Sequence, residues 1–255
     1  MKEIILQKLR EIEAAEHIRI LHAVESGSRA WGFASPDSDY DVRFIYVRTP
    51  AYYLKLEKTR DVIELPINDA LDINGWDLNK ALRLLHKSNP TVFEWMSSPL
   101  LYRETAFKSK MAPLLTYYFS PRTGIYHYLG AAKSNYIAYL RDKEEIKAKK
   151  YFYVLRPLLA CQWIMDKGTP PPMLFAELKD AYLDPRVEAD VNALLHIKTH
   201  SNEIQTIPPV VKLQDYILRS MEEIQTYLNA TSPVAEKPWD KLNAFFLSEV
   251  TESMP

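Results

Sequence analysis

The sequence predicts an α+β protein: a domain with a small mixed β-sheet over residues 1–101, followed by an all-helical domain over residues 102–255. Short runs rich in β-branched and aromatic residues are concentrated in the first half of the chain. From about Arg103 onward, apolar residues recur at helical spacing over long stretches that prolines separate. With 255 residues, 47% of them hydrophobic, the chain is long enough for both domains to bury a core.

The elements of the first domain follow in order from these patterns. Apolar residues at helical spacing predict a helix over residues 2–16. Glycine, proline and small polar residues predict a loop over residues 30–38. Asp77 is typical of an N-cap and predicts that a helix follows it, and Pro90 separates that helix from a short one over residues 91–98. The β-rich runs predict strands at residues 18–24, 40–47, 61–67 and 70–76.

The second domain is predicted to contain helices alone. Each of its long patterns is rich in Ala, Leu, Lys and Tyr, and none carries the strict alternation of a strand. The predicted helices cover residues 103–119, 122–144, 146–167, 174–182, 187–199, 210–229 and 238–250.

Composition excludes several classes of protein. With 32 Lys and Arg against 33 Asp and Glu, the net charge of −1 is not that of a protein held to DNA by bulk electrostatics. A single cysteine, Cys161, can form neither an internal disulfide nor a cysteine-based zinc site, and it lies in an apolar run where we expect it to be buried. Apolar runs are far shorter than the ~20 residues that span a bilayer. We therefore expect a cytoplasmic protein with no membrane association and no disulfide-linked partner.

The segment with the clearest chemistry begins at Gly27-Ser28 and ends at Asp39-Tyr40-Asp41. The chain has only six glycines, against roughly 18 at average usage, so a glycine at a strand end needs a reason. Gly27 would let the backbone approach a phosphate closely, and Ser28 could donate hydrogen bonds to its oxygens. Asp39 and Asp41 would leave one face of a strand about 6.6 Å apart, where divalent cations could be held between carboxylates and substrate phosphates. The alternative is a strand with one solvated face.

This signature resembles that of the DNA polymerase beta-like nucleotidyltransferase superfamily. The longer strings GSRAWGFASPDSDYDVRFIYV and LDINGWDLNKALRLLHKSNPTVFEWMSSP resemble a bacterial branch of predicted nucleotidyltransferases associated with RNA repair and RNA ligase. The resemblance implies a small mixed sheet flanked by helices. It also implies that Asp39 and Asp41 bind two divalent ions, that a third acid on a later strand completes the site, and that pyrophosphate leaves when a hydroxyl attacks.

The third acid is predicted to be Asp72. In the run ALDINGWDL, Asp72 lies on a strand face with polar neighbours, whereas Asp77 precedes a helix and is typical of a cap. Asp77 remains the second candidate and Glu64 a weaker one. Asp72 would act as metal ligand, as general base, or as both.

Basic residues are candidates for binding the nucleotide. Arg29 and Arg43 flank the signature and could neutralise triphosphate charge, although a surface arginine near acids is equally ordinary. Lys149, Tyr153 and Arg156 form one stripe of a predicted helix, for which a solvated face is the alternative. The resemblance favours a role in binding the triphosphate or an RNA acceptor.

These observations together predict an enzyme. We expect it to be a nucleotidyltransferase that uses Mg²⁺ or Mn²⁺ to move a nucleoside monophosphate from an NTP, such as ATP, to a hydroxyl group, with an RNA 3′ end as one acceptor. Two alternatives stay open at this point. The protein could bind nucleotide or RNA without useful catalysis, or the acceptor could be a hydroxyl of a protein or of a small molecule.

Overall fold

A computed structural model of the protein describes residues 1–66, 71–200, 205–232 and 235–252. The chain forms two compact units. The sheet unit comprises Met1–Gly27, Asp39–Tyr118 and Glu236–Pro255, and the helical unit comprises Ser28–Ser38 and Phe119–Ala235. These limits differ from the predicted domain boundary at residues 101 and 102: the chain passes between the units more than once.

The sheet unit contains a five-stranded mixed sheet, with strands in the order β3-β4-β2-β1-β5. Strands β2 and β4 are parallel, and the β1–β2, β1–β5 and β3–β4 pairs are antiparallel. The strands are β1 (Arg19–Glu25), β2 (Tyr40–Val47), β3 (Val62–Glu64), β4 (Leu71–Asp77) and β5 (Leu101–Arg103). The α+β prediction is therefore confirmed, and β2 has the predicted bounds; part of the predicted third strand and the first residue of the fourth lie outside the described residues.

One face of the sheet is covered by the N-terminal helix α1 (Lys2–Glu16). Its buried residues Ile5, Leu9 and Ile12 recur at helical spacing, and they pack in one cluster with strand residues such as Phe44 and Ile73. Burial alternates along β4, where Leu71, Ile73 and Gly75 are buried and the residues between them are partly exposed. This alternation gives β4 a core face and a polar face, as its sequence predicts.

Within the described ranges, six further helices pack beside the sheet or begin where one of its strands ends. Asp77 caps α4, since its carboxylate accepts a hydrogen bond from the Asn79 amide, and Asn89 caps α5 in the same way from the Thr91 amide. The cap predicted at Asp77 is thus confirmed. These helices are α2 (Gly27–Ala30), α3 (Pro50–Tyr53), α4 (Leu78–His86), α5 (Pro90–Ser97), α6 (Phe107–Tyr118) and, from the end of the chain, α12 (Asp240–Thr251).

The helical unit is built around a long buried helix, α8. Its apolar residues, among them Phe152, Leu155 and Leu158, are fully buried, and the other helices of the unit pack on it. Cys161 is buried there as predicted, and burial raises the pKa of its thiol. The elements are α7 (Pro121–Tyr139), α8 (Ala148–Lys167), α9 (Phe175–Tyr182), a 3₁₀ turn (Pro185–Val187), α10 (Glu188–His200), α11 (Val211–Ala230), and the short paired strands β6 (Ile146–Lys147) and β7 (Thr206–Ile207).

None of the helices in the described ranges is long and apolar enough to cross a bilayer.

Candidate active site

Two of the three predicted acids lie side by side on the sheet. Asp41, the second residue of β2, is the register partner of Asp72, the second residue of β4. Both side chains are partly exposed. Asp39 precedes β2 and is exposed. The parallel pairing of β2 with β4 therefore brings together two carboxylates that are 31 positions apart in the sequence.

Arg43 bridges these two carboxylates. Its Nη2 atom donates to Asp41 Oδ1 at 2.9 Å and to Asp72 Oδ2 at 2.7 Å. Its Nη1 atom donates to the Asp72 carbonyl oxygen at 2.8 Å. Like charges opposite each other on neighbouring strands are destabilising, so the guanidinium offsets their repulsion. Arg43, predicted to bind triphosphate, thus lies against the acids themselves.

Gly27 has a left-handed backbone and lies too close to the Asp41 carboxylate to carry a side chain. Its φ angle of +60° lies in the left-handed region, and a Cβ atom on this residue would lie 2.0 Å from Asp41 Oδ2. The Ser26 amide donates to the Asp41 carbonyl oxygen at 2.8 Å. Any larger residue at position 27 would therefore displace the carboxylate.

Glu25, to which the sequence assigned no role, binds the backbone of Asp41 through its side chain. Its side chain is fully buried, and Oε1 accepts a hydrogen bond from the Asp41 amide at 2.7 Å. The Tyr102 hydroxyl donates to Glu25 Oε2, and the Ser98 hydroxyl donates to its carbonyl oxygen at 2.6 Å. The available signal was a glutamate closing an apolar strand directly before Ser26-Gly27.

The two other candidates for the third acid have different surroundings. Asp77 is buried, and in addition to the Asn79 amide it accepts a hydrogen bond from the Tyr53 hydroxyl at 3.0 Å. Burial raises the pKa of Asp77 to about 6, and the hydrogen bonds from Asn79 and Tyr53 oppose this rise. Glu64 is exposed and accepts a hydrogen bond from the Asn74 side chain at 3.0 Å.

The segment Ser28–Ser38, which belongs to the helical unit, is closed by a network of hydroxyl groups. Ser28 Oγ donates to Ser38 Oγ at 3.2 Å, and Ser38 Oγ lies 2.8 Å from Ser35 Oγ. Lys198 Nζ donates to the Ser35 and Ser38 hydroxyls at 2.7 and 3.2 Å. Arg29 Nη2 donates to the Ser38 carbonyl oxygen at 2.6 Å. Ser28 and Arg29, both predicted to bind nucleotide, are therefore part of the bonding that fixes this segment.

Lys198 is a second residue that sequence reasoning missed. It is 4% exposed, and it shares the buried face of α10 with Val191 and Leu194. A lysine on an apolar helix face was the available signal, because buried lysines are rare unless they have partners.

The predicted basic stripe lies on α8. Arg156 is 2% exposed, its guanidinium donates to the Met173 carbonyl oxygen at 3.3 Å, and it lies 4.8 Å from the Trp31 ring. The Tyr153 ring meets Trp31 edge-on at 6.1 Å, and Lys149 is partly buried. Within the helical unit Arg156 thus joins α8 to two loops. Nucleotide binding by Lys149, Tyr153 and Arg156 stays a prediction.

Comparison with known proteins places this chain. The model of the RNA repair pathway DNA polymerase beta family (RlaP) matches residues 1–248. The chain belongs to this family. It is 44% identical over 255 residues to the uncharacterized protein YcgL of Bacillus subtilis (strain 168), covering 99% of this chain and 97% of that protein. A nucleotidyltransferase-like protein from Exiguobacterium sibiricum 255-15, of known crystal structure, is 14% identical with a TM-score of 0.30, over 98% of this chain and 80% of its own.

Membership in the RlaP family confirms the resemblance found in the sequence and supports a nucleotidyltransferase-type function.

The carboxylate side chains beside Gly27 offer hard oxygen ligands, which suit Mg²⁺ or Mn²⁺. One cationic nitrogen of Arg43 already lies within 3 Å of an oxygen from each of Asp41 and Asp72, so one cation can be shared between them. The described part of the chain contains no group of three His, Cys, Asp or Glu side chains arranged to hold a metal ion.

Proposed function

We propose that this RlaP-family protein transfers a nucleoside monophosphate from an NTP to a hydroxyl group, with Mg²⁺ or Mn²⁺ as cofactor. The observation that carries the proposal is the placement of Asp41 and Asp72 as register partners whose carboxylates share one cationic group. Gly27 and Asp41 belong to the signature from which the family was predicted, and Asp72 is the residue predicted to complete the site. The favoured acceptor is an RNA 3′ hydroxyl, which accords with the RNA repair description of the family.

Asp39, Asp41 and Asp72 would hold the two divalent cations, which would neutralise charge on the triphosphate and on the leaving pyrophosphate. In the transfer step, the acceptor oxygen forms a bond to the α-phosphorus, and the bond from this phosphorus to the bridging oxygen of pyrophosphate breaks. Asp72 takes the proton of the acceptor hydroxyl. Positioning and charge stabilisation then supply most of the rate enhancement.

Arg43 and Gly27 have supporting parts in this proposal. A guanidinium binds phosphate oxygens with the same forked geometry as it binds carboxylates, so Arg43 can neutralise phosphate charge beside the acids. Gly27 leaves room for Asp41, and its chain neighbour Ser28 offers an amide and a hydroxyl to phosphate oxygens. Lys149, Tyr153, Arg156 and Arg29 remain proposed nucleotide-binding residues.

The test is a transfer assay with the full chain. Each of the four NTPs, labelled at the α-phosphate, is incubated with Mg²⁺ or Mn²⁺ and with RNA that ends in a 3′ hydroxyl or in a blocked 3′ phosphate. Label is expected on the open RNA end, and Asp41→Asn and Asp72→Asn are each expected to lower the rate at least about 100-fold, as loss of a charge-stabilising group does. Far-UV circular dichroism confirms that both variants fold.

The same assay decides which residue is the third acid. Glu64→Gln should retain activity, and Asp77→Asn should retain the chemical step, because its carboxylate caps α4. If the wild-type protein labels no RNA under any of these conditions, and labels neither protein nor a small alcohol when these replace the RNA, the proposed activity is wrong. If Asp72→Asn is as active as the wild type, the assignment of Asp72 is wrong and the transferase proposal stands.

A further inference from the structure

A cavity of about 430 Å³ lies between α4 and α12 of the sheet unit. This volume is within the range of small-molecule sites, roughly 300–1,000 Å³. The cavity is distant from the acids. Asp72 and Asp77 are separated by five positions of extended β4, which span about 17 Å at ~3.3 Å per residue, and α4 begins only after Asp77.

An aromatic ring held in a fixed plane forms part of this cavity. Trp239 lines it and is 40% exposed. One face of the Trp239 ring is stacked on His86, with centroids 3.6 Å apart and planes within 8°. His86 is itself tied to the Lys237 carbonyl oxygen at 2.7 Å. Because one face is covered, Trp239 presents its remaining surface as a platform whose orientation is already set, which lowers the entropy cost of stacking a ligand on it.

Two cations lie on the same side of the cavity. Both are exposed and line the cavity: Arg83 lies in the last turn of α4, and Lys87, four positions later, is the residue that caps the end of this helix. Neither makes an ion pair within the part of the chain that the structure describes. The lining contains no carboxylate, so the positive charge of this pair is not offset inside the cavity.

The rest of the lining is suited to a flat, partly polar ligand. Leu82 and Leu242 are buried and supply an apolar base, and Phe246 adds a second aromatic ring. The side-chain amides of Asn79 and Asn243 can donate and accept hydrogen bonds. A stacking platform, two amides and two cations match the base and the phosphate of one ligand class.

We propose that this cavity binds a nucleoside phosphate, with the base on Trp239 and the phosphate on Arg83 and Lys87. The nucleoside phosphate can be a free nucleotide or one unit of a single-stranded RNA, since both carry the same groups. The binding needs neither the acids nor a metal ion, and so it is independent of the transfer reaction proposed above.

The experiment measures binding in buffer with EDTA. A fluorescein-labelled single-stranded RNA tetranucleotide is titrated with the full chain and followed by anisotropy, and AMP and UMP are titrated separately by calorimetry. The variants are Arg83→Gln with Lys87→Gln, and Trp239→Leu with Trp239→Phe as the conservative substitution. The matched control is Lys212→Gln with Arg219→Gln, which removes the same two kinds of charge from α11.

We expect Trp239→Leu to weaken binding about tenfold or more, since stacking one base on an aromatic ring is worth that much, and Trp239→Phe to retain most of it. Because both cations are proposed to bind one phosphate, their loss should lower the slope of log K against log salt by about 0.7, the value per neutralised phosphate on a single strand. Asp41→Asn should bind these ligands with the affinity of the wild type. Failure of this binding proposal can therefore be distinguished from failure of the transferase proposal.

Several results would overturn the proposal. One is equal affinity of the Arg83/Lys87 variant and the Lys212/Arg219 control. Another is weaker binding by the Arg83/Lys87 variant together with unchanged binding by Trp239→Leu. This result would indicate electrostatic attraction without a site for the base. Binding of AMP or UMP identifies a free nucleotide as ligand, binding of the tetranucleotide alone identifies RNA, and binding of neither refutes the site.

Discussion

The substitution Gly27→Ala tests the close contact between the backbone at Gly27 and the Asp41 carboxylate. The added Cβ would lie 2.0 Å from Asp41 Oδ2 and 2.9 Å from Cγ, at a residue whose φ is +60°. Two costs are expected to add. A left-handed backbone costs an L-residue about 1–2 kcal/mol, and overpacking costs about 1–3 kcal/mol. The free energy of unfolding should therefore fall by about 2–5 kcal/mol.

Two other glycines separate these costs. Gly168 has a φ of +65° and no atom within 4 Å of its hypothetical Cβ, so Gly168→Ala should show the backbone cost of about 1–2 kcal/mol alone. Gly130 lies inside α7 with no atom near its hypothetical Cβ, and Gly130→Ala should stabilise the protein by up to about 1 kcal/mol through helix propensity. Comparison of Gly27 with Gly168 then isolates the contact with Asp41.

The assay is urea denaturation followed by far-UV circular dichroism, with midpoint and slope reported for each variant. A double-mutant cycle with Asp41→Ala adds the decisive measurement, because removing the carboxylate should return the overpacking cost of about 1–3 kcal/mol. The contact would be refuted if Gly27→Ala cost no more than Gly168→Ala, or if the cycle gave no coupling. Transfer activity of Gly27→Ala should be lost in either background, since Asp41 is displaced in one and absent in the other.

Three other substitutions test the surroundings of Asp77, Arg43 and Lys198. Burial raises the pKa of Asp77 to about 6, so protonation of this carboxyl stabilises the folded state at low pH. This contribution is lost as the pH rises from about 4 to above 6. Across that range the free energy of unfolding of the wild type should therefore fall by roughly 2–3 kcal/mol relative to that of Asp77→Asn. Urea midpoints that run parallel with pH would contradict this. Arg43→Gln should raise the affinity for Mn²⁺ by up to about fivefold, because a partly exposed ion pair is worth about 1 kcal/mol or less. The affinity is measured by electron paramagnetic resonance. Unchanged affinity would show that the guanidinium does not compete with the cation. Lys198→Met removes charged hydrogen bonds to two buried serine hydroxyls and should lower the free energy of unfolding by about 2–3 kcal/mol. Lys133→Met, which loses one hydrogen bond to the partly exposed Gln225, is the control, and an equal effect of both substitutions would contradict the network.

Elements whose pattern is long and local could be predicted from the sequence. The helices of the second half begin and end close to the predicted residues, because apolar spacing and prolines mark them directly: α8 was expected over residues 146–167 and covers Ala148–Lys167. The strand β2 was also predicted with its observed bounds, from a run rich in β-branched and aromatic residues. Short elements escaped, among them β5, since three residues carry too little pattern to distinguish a strand from a loop.

Two domains were predicted, but the assignment of individual segments to the two units could not be, because it depends on contacts between distant parts of the chain. The C-terminal helix α12 has the same apolar spacing as its neighbours in sequence, yet it packs on α4 in the sheet unit. The segment Ser28–Ser38 reads as a loop of the first half, but Phe33 packs against Phe152 and Phe175 in the helical unit. No local pattern in the sequence indicates which of the two hydrophobic cores a segment packs into.

At the candidate site, residue types and faces were predictable and partners were not. Alternation along β4 assigned Asp72 to the polar face, and the helix that follows Asp77 identified the cap. That Arg43 bridges Asp41 and Asp72 depends on β4 lying beside β2, and strand order is a long-range property. Lys198 illustrates the same limit, since it reaches Ser35 across 163 positions of sequence.

The register that sets Asp41 opposite Asp72 has its own physical cause three residues further along each strand. Phe44 is the partner of Gly75, and a Cβ at position 75 would lie 2.2 Å from the Phe44 ring. The ring therefore occupies the space that only a glycine leaves on β4. A slip of one position would bring Phe44 opposite Asn74 or Trp76, whose Cβ atoms would collide with the ring, and it would also exchange the buried and polar faces of β4. Gly27 and Gly75 thus act on the same pair of acids, the first by admitting the Asp41 carboxylate and the second by holding the strands in the alignment that places Asp72 beside it.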